Sequence, residues 1–333
     1  MNTLQAELTT KNTDIRNILN VSPATLSDIC KKLEINFADS ESNTRGKSKS
    51  LIGSETRRIF ESRGYKFPET AKVIICGINK GGSGKSTTAY YLSQRLSSFG
   101  ARVLVIDGDP QGNLTLAFNP SKYGVTIDKD TAILLDVLKG EITLDEALIN
   151  ITPRLSLLPS TPVNSGLENC IRNGWKNPCI PMKNLLKDIK KDYDYIMIDT
   201  APTFNITNTA FFTCADLVLM PANPDDFSIM SISQTIKELD DIQAEFELKI
   251  DRKILYTKHD KRETLSNKTL GVLLSSYSDI MLNSVVGVST DTKNVISKGQ
   301  YLFDMKSTAK DDFDALTIEI MGLDSISNKK TLQ

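Results

Sequence analysis

A glycine-rich run, K-G-G-S-G-K-S-T over residues 80–87, is the part of the sequence whose residue types could most directly do chemistry. Its glycines permit backbone angles that turn successive N–H groups inward toward an anion. The Lys85 side chain would reach the β- and γ-phosphates of a nucleotide, and the Ser86 hydroxyl would ligate Mg²⁺. The run therefore predicts a nucleotide-phosphate site, with cofactor contacts from Gly81, Gly82, Ser83, Gly84, Lys85, Ser86 and Thr87.

Three aspartates stand where strands are expected to end. Asp107 and Asp109 leave the apolar run V-L-V-I-D, and Asp199 closes the run Y-I-M-I-D. In a parallel sheet the carboxyl ends of the strands line the ligand crevice, where carboxylates handle Mg²⁺ and the attacking water. We therefore expect a magnesium site built from Ser86, Asp109 and Asp199, with Asp109 acting in catalysis together with Lys85.

The pattern from residue 72 onward indicates the elements that must hold these side chains. Residues 72–79 are expected to form a strand that leads into the loop. A helix is expected to start near Lys85, where the positive end of its dipole favours phosphate, and to be amphipathic over 88–99. Further apolar runs alternate with helical stretches: 103–107, 155–158, 195–199, 217–220, 254–257 and 285–288. Such runs predict a buried, mostly parallel sheet. The expected fold class is α/β, a P-loop nucleotide-binding fold with a twisted sheet flanked by helices.

Residues 1–70 are more polar and are punctuated by turn formers. Three helices are expected there: 13–19, 22–33 and 54–63. Ser22 is a suitable N-cap and Pro23 a suitable first helical residue. Residues 45–66 carry seven basic side chains against two acidic ones. The predicted organisation is a small helical domain that resembles a winged helix-turn-helix, a nucleotide-binding domain and a tail: 1–70, 71–325 and 326–333.

Composition and charge argue against several functional classes. The net charge is −1, so binding to nucleic acid would need a local basic patch. The five cysteines form no C-x-x-C pair and there is one histidine, which argues against a disulfide framework or a zinc site. No apolar signal segment is visible, and the most apolar stretch, 210–222, is too short to span a bilayer. We expect a cytoplasmic protein with no membrane partner.

Together, three motifs resemble those of the ParA/Soj/MinD group of deviant Walker-A ATPases, and most of all the ParA partition ATPases, over residues 72–320. They read K-G-G-x-G-K-S-T, V-x-V-I-D-x-D-P-Q-G-N and Y-D-Y-I-x-I-D-T-A-P. The resemblance implies ATP and Mg²⁺ as cofactors and hydrolysis of ATP to ADP and phosphate. It also implies a homodimer in which Lys80 crosses to the partner's nucleotide, so Lys80 joins the catalytic residues. Asn79 stands where an ordinary P-loop begins with glycine.

The same resemblance implies roles for further residues near the phosphate site. Asp109 matches the acid that governs hydrolysis, Asp199 matches the acid on the Mg²⁺ side, and Asp107 would be a nearby support. Asn223 and Pro224 match the loop that contacts adenine, which adds them to the expected cofactor contacts.

DNA binding is expected at two places. Lys293 and Lys298 lie in a run where ParA proteins carry basic residues for nonspecific DNA binding. Some ParA proteins also carry an N-terminal helix-turn-helix and repress their own operon, and residues 13–67 resemble that arrangement. Cationic side chains there would meet phosphates or base edges, and the candidates are Arg45, Lys47, Lys49, Arg57 and Arg58.

The expected function is ATP-dependent partition of a plasmid or chromosome. The resemblance implies that an ATP dimer binds nonspecific DNA on the nucleoid, that a ParB-type centromere-binding protein stimulates hydrolysis, and that the chain binds its own operator. Three alternatives stay open. They are a MinD- or McdA-like ATPase that positions a non-DNA cargo, a cluster-carrying relative using Cys170 and Cys179, and a repressor that binds nucleotide without hydrolysing it.

Overall fold

The structure, a computed structural model, describes residues 6–35 and 49–324. This part of the chain contains a two-stranded sheet and an eight-stranded sheet. The strands are β1 (Thr9–Lys11), β2 (Ser50–Ile52), β3 (Lys72–Cys76), β4 (Val103–Asp107), β5 (Ile149–Thr152), β6 (Leu155–Leu158), β7 (Tyr195–Asp199), β8 (Leu217–Ala222), β9 (Asp251–His259) and β10 (Met281–Gly287).

Helices supply most of the remaining regular structure. They are α1 (Asn12–Leu19), α2 (Pro23–Lys32), α3 (Gly53–Ser62), α4 (Lys85–Ser98), α5 (Asn113–Phe118), α6 (Leu134–Lys139), α7 (Leu144–Ala147), α8 (Leu167–Gly174), α9 (Cys179–Ile189), α10 (Ile206–Phe212), α11 (Asp226–Phe246), α12 (Thr264–Tyr277), α13 (Asp291–Lys298) and α14 (Thr308–Met321). The expected cap of α2 is confirmed, since the Ser22 hydroxyl accepts from the Thr25 N–H at 3.1 Å. Among the described residues, no helix is both long and apolar enough to cross a membrane.

The large sheet has the strand order β10-β9-β8-β3-β7-β4-β6-β5. All its neighbouring pairs are parallel except β5 with β6, which are antiparallel at the edge. The predicted mostly parallel sheet is therefore confirmed. β4 and β7 are buried at every position because helices cover both faces, which explains their uninterrupted apolar sequences.

The register at the centre of the sheet fixes where the site residues emerge. Asp199 at the end of β7 pairs with Cys76 at the end of β3 on one side and with Asp107 at the end of β4 on the other. The carboxyl ends of these three strands therefore meet at one edge. The glycine-rich loop leaves β3 at this edge, so two carboxylates and the loop are brought together by strand pairing alone.

Helix α4, which follows the glycine-rich loop, is buried on nearly all sides. The expected helix start near Lys85 is confirmed, but the prediction of an amphipathic helix is wrong, since Ser93, Ser97, Ser98 and even Arg95 are buried. The physical reason is that α4 packs against the sheet on one side and against α3 and α14 on the other. Two of its buried serines bond to the helix backbone: the Ser93 hydroxyl donates to the Tyr90 carbonyl at 2.9 Å and the Ser98 hydroxyl to the Arg95 carbonyl at 3.0 Å.

The N-terminal segment, residues 6–35 and 49–70, shares one hydrophobic core with the nucleotide-binding fold. Ile15 of α1 and Phe60 of α3 belong to the same cluster as Leu96 and Phe99 of α4. The rings of Phe60 and Phe99 meet edge to face with centroids 5.8 Å apart. The Thr10 hydroxyl donates to the carbonyl of Ser98 at 2.8 Å. The segment thus forms a layer that packs over α4, and its two parts are joined by the antiparallel pair β1–β2.

A buried network of charges fixes this layer to α4 and α14. Arg95 of α4 is fully buried between the rings of Phe99 and Phe303, and its guanidinium donates to Asp14 of α1 at 2.9 Å. Its Nε lies 2.6 Å from a carboxylate oxygen of Asp314, at ion-pair distance although the N–H is poorly aligned. Lys310 bridges the same two aspartates at 3.2 and 2.6 Å. Buried charges of this kind are tolerated only when paired, so the three elements are held in one arrangement.

Candidate active site

The glycine-rich loop has the backbone geometry of an anion cradle. Gly82 and Gly84 have φ values of +69° and +102°, in the left-handed region that glycine adopts without strain. Gly84 is the N-cap of α4, so the unpaired N–H groups of the helix start open into the loop. The back of the loop is held by β9, since the Thr257 hydroxyl donates to the Ser83 carbonyl at 3.0 Å. This arrangement suits a phosphate chain.

Lys85 lies inside the loop. Only 6% of its surface is exposed, and its ammonium donates to the Lys80 carbonyl at 2.8 Å. Burial lowers the pKa of Lys85, while Asp199 and Asp109 act in the opposite direction. A buried ammonium whose hydrogen bond goes to a backbone carbonyl can exchange that bond for a stronger one to phosphate.

Asp107 is fully buried and holds the backbone around the site. Its carboxylate accepts from the Thr115 N–H at 2.8 Å, the Thr115 hydroxyl at 2.7 Å and the Asp109 N–H at 3.2 Å. Burial raises its pKa to about 6, against the lowering effect of these hydrogen bonds. Asp107 therefore anchors the start of α5 and the peptide that carries Asp109, which agrees with a supporting role.

Among the three aspartates of the site, Asp199 has the fewest hydrogen bonds to its carboxylate. It is fully buried, and neither carboxylate oxygen has a well-aligned hydrogen-bond partner, although the Ser86 hydroxyl is near enough to lower its pKa. Burial, followed by the charge of Asp107, nevertheless raises that pKa well above its usual value. An orphaned buried carboxylate next to a hydroxyl fits a hydrated Mg²⁺, which keeps several waters and takes few protein ligands. No cluster of three or more histidine, cysteine or acidic side chains suited to a metal is found among the described residues.

Asp109 lies where two cavities meet. One has a volume of about 560 Å³ and is lined by the glycine-rich loop, and the other, of about 450 Å³, extends from Gly108 toward α8 and α10. The Asp109 carboxylate accepts from the Gln111 N–H at 2.9 Å and is 6% exposed. Gly108 permits this placement, because a Cβ there would come within 2.8 Å of the Asp199 carbonyl oxygen. A water in the phosphate cavity would therefore have Asp109 as a neighbour.

Lys80 is held by its own chain in this structure. Its ammonium pairs with Asp225 and donates to the Ser228 hydroxyl at 2.8 Å. Asp225 also caps α11, accepting from the Ser228 N–H at 2.8 Å. Asp225 and Ser228 belong to the loop that resembles the family's adenine-contacting loop, but nothing in the sequence indicated that they hold Lys80. The signal available was the D-x-x-S spacing of a helix cap, which says nothing about a lysine 145 positions away.

The residues expected near adenine separate in the structure. Asn223 contacts the loop, with its side-chain amide donating to the Gly82 carbonyl at 3.3 Å, but neither Asn223 nor Pro224 lines the phosphate cavity. Two lysines that were not among the predicted nucleotide contacts do line it, Lys258 at the end of β9 and Lys293 on α13.

The candidate DNA contacts differ in their burial. Arg45 and Lys47 lie outside the described residues, and Lys49, Arg58 and Lys298 are exposed. Arg57 is committed to the interior: its guanidinium pairs with the buried Asp194 at 2.7 Å and lies 3.9 Å from the centre of the Phe67 ring. Arg57 therefore has a structural role, because without its guanidinium the buried charge of Asp194 would lose one of its cationic partners. Lys293 is exposed as well, and it also lines the phosphate cavity.

Comparison with known proteins places the chain among nucleotide-binding proteins. Residues 71–252 match a family described as an AAA domain. The chain is 31% identical over 252 residues to an uncharacterised protein of Methanocaldococcus jannaschii, covering 73% of this chain and 96% of that one. It is 26% identical to the chromosome partitioning protein ParA of Caulobacter vibrioides, covering 75% and 94%. Its fold is similar to that of a plasmid partition protein of Borrelia burgdorferi bound to AMPPNP, with a TM-score of 0.65 at 24% identity over 76% of this chain and 99% of that one.

Proposed function

Because the chain belongs to the ParA group of P-loop ATPases, we propose that it hydrolyses ATP to drive the partition of a plasmid or chromosome. The observation that carries the proposal is the convergence of Lys85, Asp109 and the orphaned Asp199 on the glycine-rich loop. A pure nucleotide-binding repressor would have no use for an acid held beside the phosphates.

ATP binds with its phosphates in the loop. There the N–H groups at the start of α4 and the Lys85 ammonium donate hydrogen bonds that replace those from water to the phosphate oxygens. Ser86 and Asp199 would hold Mg²⁺, the first through its hydroxyl and the second through water. When bound, Mg²⁺ neutralises charge on the phosphates. Asp109 orients the attacking water, and Asp107 keeps the Asp109 peptide in place through the hydrogen bonds described above.

The dimer is the proposed active form. In it, Lys80 leaves Asp225 and reaches the nucleotide of the second copy, where another cation stabilises both the interface and the transferring charge. The pairing of Lys80 with Asp225 and Ser228 then represents the position of this lysine before assembly.

Substitution of Lys80 by alanine is expected to abolish ATP-dependent dimerisation while leaving ATP binding by the monomer within about threefold, since Lys80 acts across the interface. Sedimentation velocity with a hydrolysis-resistant ATP analogue, alongside calorimetric titration of the same samples, measures both quantities. The exposed lysine of α11, Lys237, gives a matched control as Lys237→Ala. A Lys80→Ala dimer as tight as wild type would remove the role of Lys80 in the second copy's site.

The cargo of the proposed cycle is DNA. The ATP dimer binds nonspecific DNA on the nucleoid in the cytoplasm, a ParB-type protein stimulates hydrolysis, and residues 1–70 recognise the operator of the chain's own operon. Exposed Lys49, Arg58, Lys293 and Lys298 remain candidates for phosphate contacts, together with Arg45 and Lys47, whereas Arg57 is paired with Asp194.

DNA binding by the full chain tests this proposal, and the full chain is needed because the N-terminal segment shares its core with α4. Random DNA and the chain's own promoter are titrated without nucleotide, with ADP and with ATP, across a salt series. ATP-dependent, salt-sensitive binding to random DNA is expected, with promoter preference in the ADP state. Absence of DNA binding in every state would favour a MinD- or McdA-like ATPase with a non-DNA cargo.

A further inference from the structure

The carbonyl oxygen of Gly82, in the glycine-rich loop, is held by two side chains from other strands. Lys258 at the end of β9 donates its ammonium at 2.6 Å, and Asn223 after β8 donates its amide at 3.3 Å. Lys258 has a φ of +55°, a left-handed conformation that is unfavourable for a residue with a side chain. Strain of this kind persists where the surroundings enforce it, which is common at ligand sites.

The phosphate cavity has a second, more apolar end. Besides the loop, it is lined by the apolar side chains of Leu116 and Ala117 of α5 and Ile296 of α13. Leu116 is 65% exposed, so its side chain is accessible to a ligand in the cavity. Phosphates occupy the loop end, so the flat, less polar half of a nucleotide must lie against these side chains or leave the cavity.

The Lys258 side chain runs between the two ends. Its backbone is on β9 and its ammonium is on the loop, so its four-carbon stem forms part of the cavity wall. Burial lowers the pKa of Lys258, and nearby Lys293 and Lys80 lower it further. Asp225 acts in the opposite direction, and the ammonium itself bonds to a neutral carbonyl. A lysine fixed at its tip presents its methylenes sideways, and such stems cover apolar surface well.

We propose that Lys258 is a nucleotide-positioning residue whose stem forms one wall of the nucleoside half of the site, opposite Leu116 and Ile296. The inference rests on the proposed function, since it concerns the same ATP. It differs from a phosphate contact because the ammonium stays on Gly82 and the methylenes meet the ligand.

Calorimetric titration of ATP, ADP and inorganic tripolyphosphate separates the two roles. Lys258→Ala is expected to weaken ATP and ADP about tenfold each and to leave tripolyphosphate within about twofold, because only the stem contact is lost. Lys258→Met keeps the stem and is expected to bind ATP within about threefold of wild type. Lys261→Met, an exposed lysine three positions on, controls for loss of charge.

The outcomes are distinct. Equal loss of ATP, ADP and tripolyphosphate in Lys258→Ala would make Lys258 a phosphate contact and overturn the inference. Unchanged ATP binding in Lys258→Ala would overturn it as well, while leaving the proposed function intact. Wild-type protein that binds neither ATP nor tripolyphosphate would overturn the proposed function itself. Thermal unfolding without ligand checks that each variant is folded.

Discussion

Lys85→Ala will bind ATP about a thousandfold more weakly than wild type. The lysine is buried in the glycine-rich loop and its ammonium bonds only to a backbone carbonyl, so it is available to bond to phosphate. Two charge-assisted hydrogen bonds to phosphate oxygens, each contributing about 2 kcal/mol, give a loss of about three orders of magnitude.

Equilibrium binding of a fluorescent ATP derivative, with competition by ATP, measures the loss. Lys268→Ala, which removes an exposed lysine of α12, should bind as wild type does. Circular dichroism shows whether the Lys85 variant is folded. ATP affinity near wild type in a folded Lys85→Ala protein would refute the assignment of the phosphate site.

Asp109→Ala will bind ATP within a few-fold of wild type but hydrolyse it about a thousandfold more slowly. The Asp109 carboxylate borders the phosphate cavity without holding the loop, since its hydrogen bond goes to the Gln111 N–H. A positioned acid or base of this kind typically contributes a factor of about 10² to 10⁴ to the rate. Binding and turnover should therefore separate in this variant.

Single-turnover hydrolysis of radiolabelled ATP, with protein in excess, isolates the chemical step from assembly. Asp188→Ala, at an exposed position of α9, controls for removal of a surface acid. Turnover unchanged in Asp109→Ala would exclude Asp109 from the mechanism. A fall in ATP affinity as large as the fall in rate would instead make Asp109 a binding residue.

The sequence predicted the parts of the site that depend on local pattern. The loop, its flanking strand and helix, and the acids at strand ends are each contiguous, so residue type and spacing identify them. Parallel pairing then places Asp107 beside Asp199 without further information, because strand ends of a parallel sheet share one edge.

Contacts between distant segments were not predictable from pattern. Lys80 with Asp225 and Lys258 with the Gly82 carbonyl join residues 145 and 176 positions apart, and their meeting depends on strand order. Arg57 was expected at a DNA surface because basic residues cluster near it in sequence. Its partner Asp194 lies 137 positions away, so neighbouring residues gave no sign of the ion pair.

The burial of α4 illustrates the same limit for a whole element. Hydrophobic periodicity predicts a polar face when one side of a helix meets water. Here the opposite side is covered by α3 and α14, from the two ends of the described chain. Small polar residues are accommodated there because hydroxyls bond to the preceding turn of the helix.

Helix α4 joins the phosphate loop to Arg95, about 15 Å along its axis at about 1.5 Å per residue. Since Arg95 donates a hydrogen bond to Asp14 of the N-terminal layer, any shift of the helix start on nucleotide binding would be felt in that layer. If the first 70 residues bind a ligand and nucleotide changes the affinity for that ligand by some factor, the ligand must change the affinity for nucleotide by the same factor.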